Sequence, residues 1–263
     1  MKDESGMLDP SVWSGTEIAA WDNLTRVATE MTELAATGRT ILFRGQPHEW
    51  QLRSSLLRAL PQNVDTATAL RVEQNAADHF RSQAHLYEPE LKVESLKGFY
   101  WFTHWWSRMQ HHGAPTRLLD WTASPYVAAY FAVEQRPDNN GVVLVIDADR
   151  LKEVYRPPEP HSEWNVDHFG TGAPEALIPF TPYHKTTRLV AQQGYFTVAT
   201  RVLDVHDDLL HRAGAILRRW VIPADRKSNI LYHLRTMNVG AHSLFPGMDG
   251  LGRATGELVR IAR

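Results

Sequence analysis

"HHGAPTRLLDWTASPYVAAYFAV", His111 to Val133, is the stretch on which the reading of this chain turns. Two histidines stand beside a Gly-Ala-Pro turn, and Arg117, Asp120, Thr122 and Ser124 follow among short apolar runs. A segment that only filled a core would not carry so many polar groups, because each needs a partner once it is buried. The second half has a defined form: Ser124 suits a helix N-cap and Pro125 the first helical position, so "SPYVAAYFAVEQ" is expected to be a helix. Arg117 and Asp120, three apart, either pair and fix the turn before that helix or serve a ligand. The stretch is expected to do both jobs. Pro115, Leu118, Leu119 and Trp121 should pack, while His111, Thr122 and Ser124 face a cleft.

Upstream, Thr16 to Gly38 has apolar residues at helical spacing (Ile18, Trp21, Leu24, Val27, Met31, Leu34). Thr16 is the expected N-cap and Gly38 the expected C′ stop. "RTILFRGQ" reads as a strand ending at Arg44-Gly45, and "SSLLRAL" as a short helix stopped by Pro61. Val64 to Tyr87 lacks Gly and Pro and reads as a long helix; "GFYWFTHWWSRMQHHG" is another, ending at Gly113. Downstream, "GVVLVID" is a continuous apolar run and therefore a strand buried on both faces. Residues 155–184 are Pro-, Gly- and His-rich and are expected to be a long loop. "QQGYFTVAT" and "AILRRWVIP" read as strands, "DRKSNILYHLRTMN" as a helix capped near Asp225, and "HSLFPGMDGLG" as a turn-rich segment. Helices dominate the first half and strands the second, which gives an α+β fold in a single domain over 16–263, after a loose polar tail at 1–15.

The 263 residues are 43% hydrophobic and 22% charged, ordinary values for a soluble protein with a real core. A net charge of −2 supplies no global basic field for nucleic acid or anionic membrane, although Arg218-Arg219 forms a short local patch. The absence of cysteine excludes disulfides and thiolate metal sites and fits a cytoplasmic protein. No apolar run reaches the roughly 20 residues of a membrane span, and the acidic start is no signal peptide. Nine tryptophans are mostly core material, yet they are also the planar surfaces on which a base stacks.

Three polar clusters carry the chemistry: FRGQ at 43–46, the 111–124 block, and VAQQGYF at 190–196. Each lies beside a glycine at an element boundary. Arg44 either presents its fixed fork of donors to a phosphate or pairs with a buried aspartate such as Asp120, and Gly45 permits close backbone approach. His111 is either a general base or a helix-terminal histidine bonded to backbone; no acidic partner stands at helical spacing, so no metal is expected. There is no G-x-S-x-G elbow, H-E-x-x-H motif, cysteine nucleophile or Walker loop, which removes the conventional hydrolases and P-loop enzymes.

These same residues resemble the FRG-domain family. The resemblance rests on Phe43-Arg44-Gly45, the block Gln110 to Thr122, the helix "SPYVAAYFA", the "QQGYFT" strand from Gln192 to Thr197 and the closing "LFPGMDGL". It runs from Ile41 to Leu251. The motif order is similar to that of the ADP-ribosyltransferase fold, which implies a split antiparallel sheet flanked by helices. By that resemblance Arg44 grips the pyrophosphate or ribose of NAD, and Thr122 and Ser124 shape the nicotinamide-ribose pocket. Gly45, His111, Arg117 and Gln192 would complete the NAD site, with Tyr126 and Tyr195 as a stacking wall. The transferase pattern has a glutamate on the third strand, where this chain reads Ala191-Gln192-Gln193-Gly194. Gln193 then stands in the catalytic position with no charge, and Asp120 is the nearest carboxylate in a motif.

The resemblance implies an NAD-dependent ADP-ribosyltransferase or NAD-consuming effector, such as a toxin or anti-phage factor. NAD would be its substrate, a macromolecule the possible acceptor and a neutralising protein a possible partner. The alternative is a non-catalytic nucleotide- or partner-binding module of the same fold.

Overall fold

The computed structural model describes residues 16–88, 96–156 and 166–261. The expected tail at 1–15 and part of the expected loop over 155–184 lie outside them. Seven strands form one open, mixed sheet in the order β1 (Thr16–Glu17), β7 (Ile216–Ile222), β4 (Gly141–Asp147), β2 (Ile41–Gln46), β3 (Leu118–Thr122), β6 (Gly194–Ala199) and β5 (Leu177–Phe180). All neighbours are antiparallel except β1 and β7. The fold is α+β with helices on both faces, and the apolar run of β4 is buried along its whole length, as its composition requires.

The pairing is uneven. β2 and β4 share six register pairs and β3 and β6 share five, but β2 and β3 meet only at Phe43 and Thr122. Beyond that pair the strands part, and the Arg44 side chain bridges them by donating from Nη1 to the Asp120 backbone carbonyl at 2.6 Å.

Alternation along β2 sends Ile41 and Phe43 to one face and Leu42 and Arg44 to the other. The first face packs under α1 (Trp21–Ala36), α5 (Pro125–Val133) and α9 (Lys227–Thr236), in a core that includes Leu24, Val127, Trp220 and Leu231. Gly45 lies under α5, where an added Cβ would stand 1.8 Å from the Ala128 carbonyl oxygen. The backbone that needs this glycine is therefore that of α5, whatever else passes nearby. On the other face, α6 (Ala148–Tyr155) and α8 (His206–Ala213) cover Leu42, Leu144 and Ile146. An aromatic core under β3, β6 and β5 is closed by α3 (Thr66–Ala84) and α4 (Gly98–His111), with Phe99, Trp106 and Phe196 at its centre.

Several local expectations meet their elements here. Gly38 takes a positive φ of 94° just past α1, and Ser124 caps α5 by accepting from the Val127 amide at 3.3 Å. Ser54 caps the short helix α2 (Ser55–Ala59), which ends ahead of Pro61. Others need correction. Thr16 does not cap α1; it pairs with Trp220 in β1, and the helix starts five residues later behind Ala20. The expected loop contains β5, an edge strand whose Pro179 is tolerated because one side of an edge is unpaired. Gln192 and Gln193 are not on a strand: they follow α7 (Thr187–Ala191), with Gln193 left-handed at φ 47°. The turn-rich segment after His242 holds α10 (Ala241–Leu244) and the 14-residue helix α11 (Met248–Ile261). α9 begins behind Arg226 with no side-chain cap from Asp225.

Candidate functional site

Where β2 and β3 part, a cavity of about 250 Å³ opens. Its floor is Phe43, Arg44 and Gly45 of β2 with Asp120, Trp121 and Thr122 of β3; its walls are the end of α4 and the segment from Pro182 to Gln192. All three polar clusters of the sequence thus converge on one space. Successive residues of β3 normally face opposite sides of a sheet, but at a parted junction both sides open to the same cavity.

Arg44 is largely buried, with its side chain 17% exposed. Burial lowers the pKa of its guanidinium and Asp120 opposes that shift; the group remains a cation. One nitrogen holds the Asp120 carbonyl, the Asp120 carboxylate stands 4.0 Å away, and Nε is buried with no acceptor. Arg44 therefore meets Asp120, the aspartate named for it in the pairing alternative, though as a loose contact to a carboxylate that is 63% exposed and not buried. Asp120 is the one carboxylate among the lining residues.

Thr122 donates from Oγ1 to the Gln192 carbonyl at 2.7 Å and accepts from the Ser124 amide at 3.0 Å. Those bonds fold the chain after β3 against the chain after α7. The amide of Ala123 adds a third, to the Gln193 carbonyl at 3.0 Å. Gln192 lines the cavity, and its side-chain amide donates to the Leu244 carbonyl at 3.1 Å. His111 lines the cavity from α4, and burial, then His112, Arg188 and Arg108, hold its imidazole below the usual value.

Five residues named from the sequence stand elsewhere. Gln193 is exposed and outside the cavity lining. Ser124 is occupied as a helix cap. Tyr126 stacks on Trp21, with ring centroids 6.0 Å apart, on the far face of the sheet. Tyr195 packs against the core beneath α6 and α8. Arg117 does not pair with Asp120. It is buried, forms a two-pronged ion pair with Glu73 of α3, donates to the Thr200 carbonyl at 2.7 Å and lies over Trp106. Its role is to tie α3 and α4 to the sheet. Pro115, expected to pack, is exposed.

Other lining residues went unnamed in the sequence reading, notably Arg108, His184 and Arg188. Helical spacing was the available signal: Arg108 and His111 are three apart on α4, and Arg188 and Gln192 four apart along α7. Arg108 is neutralised by Glu88. Behind the cavity a buried chain runs from Trp121 Nε1 to Thr197 Oγ1 at 2.9 Å, then to His206 Nδ1 at 3.0 Å. The other ring nitrogen of His206 lies 3.2 Å from the Arg117 carbonyl. Burial depresses His206 to about 3, so it is neutral and serves to hold Trp121 and β6 in place.

Residues 39–141, from the start of β2 through α5 to the first residue of β4, match the family model of the FRG domain. Over that span the chain is similar to the FRG domain. Comparison with curated proteins and with solved structures gave no match. The FRG-domain match takes in Arg44, His111, Asp120 and Thr122, whereas the α7 wall of the cavity lies beyond its end. Among the described residues, no group of three or more His, Asp or Glu is placed to hold a metal, and no helix is long and apolar enough to cross a membrane.

Proposed function

We propose that the cavity binds NAD and that the chain cleaves it at the nicotinamide–ribose bond, transferring ADP-ribose to an acceptor or to water. The observation that supports this best is the pairing of a buried, under-bonded guanidinium with an exposed carboxylate in one cavity. Arg44 offers an acceptor-free Nε–H to a phosphate or ribose oxygen, and the Asp120 carboxylate stands beside it. In this reaction the C1′–N1 bond breaks with its electron pair passing to nicotinamide, which leaves neutral. The ribose acquires oxocarbenium character, as in glycoside cleavage, and the acceptor attacks C1′ and gives up its proton. Asp120 stabilises the cation and takes that proton, the work that neither glutamine can do. At about 250 Å³ the cavity falls just under the ~300–1,000 Å³ that buries a drug-sized ligand. It suits one phosphoribosyl end of the dinucleotide, with the remainder outside. The split antiparallel architecture of the transferases is part of the same proposal, and the parted junction between β2 and β3 is the feature that favours it.

The second reading is a nucleotide-binding module without turnover. It is favoured by Gln192, whose side chain is committed to Leu244, and by Gln193, which stands outside the cavity. Incubation with NAD labelled in the adenylate moiety, alone and with cell lysate, separates the two. Labelled macromolecule or free ADP-ribose is expected; saturable NAD binding with no product would establish the module instead, and no binding would end both readings.

A further inference from the structure

The cavity has a further guanidinium, Arg188, that forms no ion pair among the described residues. It lines the cavity from α7, opposite Arg44 on β2. Arg108, the third arginine of the lining, differs in having Glu88. The guanidinium carbon of Arg188 lies over the Phe245 ring, 4.7 Å from its centroid, and that of Arg253 lies over the same ring at 4.1 Å. Stacking of this kind occupies the flat face of a guanidinium and leaves its in-plane N–H groups free to bond. It also fixes the long side chain, so that less rotamer freedom is lost when a ligand arrives.

Two guanidinium groups on separate elements line one cavity, and Arg44 keeps a buried Nε–H with no acceptor. Burial acts against both charges; Asp120 in the cavity offsets both, and Asp249 and Glu134 outside the lining add to it for Arg188. A single phosphate satisfies one fork; two forks lining one cavity from separate elements can take two phosphoryl groups. We infer that Arg188 is a second anion-anchoring residue, which with Arg44 grips the two phosphoryl groups of a diphosphate-bearing ligand, one group to each arginine. This assignment rests on the reading of the cavity as a nucleotide site, and it adds a residue beyond the FRG-domain match.

The probes are inorganic pyrophosphate and inorganic phosphate, titrated calorimetrically into the full chain, so that the outcome does not depend on NAD turnover. Pyrophosphate is expected to bind wild-type protein at least tenfold more tightly than phosphate. Arg188→Gln should remove that advantage while leaving phosphate affinity within about twofold. Arg188→Lys, which keeps the charge and the fold but not the fork, should retain only part of it. Equal affinity for the two anions in wild-type protein, no pyrophosphate binding, or an unchanged pyrophosphate affinity in both folded variants would overturn the assignment. Pyrophosphate binding that depends on Arg188 in a protein that neither binds nor cleaves NAD would leave this assignment standing and remove the NAD reading.

Discussion

Arg44 and Asp120 are neighbours whose contributions separate on substitution. Arg44→Ala removes one hydrogen bond to a carbonyl and the cavity's buried cation. It should abolish NAD binding and cost about 1–2 kcal/mol in denaturant unfolding, the usual effect of leaving one buried acceptor unpaired. A large loss of stability with NAD affinity intact would show Arg44 to be a strut. Asp120→Asn should cut NAD turnover at least about a hundredfold with KM little changed, the signature of an interaction made only in the transition state. Stability should move by less than about 0.5 kcal/mol, because the carboxylate is exposed and its contact to Arg44 is long. Parallel loss of affinity and turnover would instead make Asp120 a positioning group for Arg44. Both residues were legible in the sequence, Arg44 as a charge beside a glycine at the end of an apolar run and Asp120 as the carboxylate of the polar block that follows Gly113. Arg117 was not, because its partner Glu73 lies 44 residues away on another helix and no local spacing reports such a pair. Arg188 escaped because it stands two residues ahead of the VAQQGYF cluster, on a helix of only five residues that the sequence reading did not place.

At the level of elements, β2, β4, β6, β7, α3, α4 and α5 could be read from periodicity, punctuation and caps. Those that could not share a physical reason. β5 is four residues long with a proline inside it, and β1 is two; strands that short carry no alternation. α11 holds Gly250, Gly252 and Gly256, each unfavourable in a helix by about 1 kcal/mol, and is held by tertiary contacts instead. Gly250 packs directly under the Phe245 carbonyl, and buried Glu257 accepts from the Tyr130 hydroxyl at 2.5 Å and from the Ala241 amide at 3.2 Å. The attachment of α3 offers the corresponding test. Glu73→Ala strands the buried Arg117 cation, so it should cost about 3–5 kcal/mol. Replacing Arg117 and Glu73 together by apolar residues should recover part of that loss. A loss below about 1 kcal/mol in the single variant would mean that other contacts hold α3 and α4 to the sheet.

For the whole molecule, acid is the simplest probe of the two buried histidines. His206 is held neutral with a pKa of about 3, and His104, packed edge-on against His184, with one of about 4, both by burial first. Their unfolded values are near 6.5, so between pH 6.5 and 4 the unfolded chain binds protons that the native protein refuses. Stability is then full above pH 6.5 and falls as pH drops, by up to about 1.4 kcal/mol per pH unit for each histidine. Unfolding free energies measured at pH 7, 6 and 5 should decline accordingly; a flat profile over that range would contradict the buried, neutral assignment. The single rung between β2 and β3 has its own consequence at this scale. Within the sheet it leaves β7, β4 and β2 joined to β3, β6 and β5 by one backbone pair and one arginine, while the apolar core of Leu42, Leu144, Leu119 and Trp121 packs across the junction. Native-state hydrogen exchange should therefore report two opening free energies rather than one, the amides of β4 falling in one class and those of β6 in the other. A ligand held by Arg44 on one side and by the α7 wall on the other would act as a stitch, and saturation with it should bring the two classes to a common, slower rate.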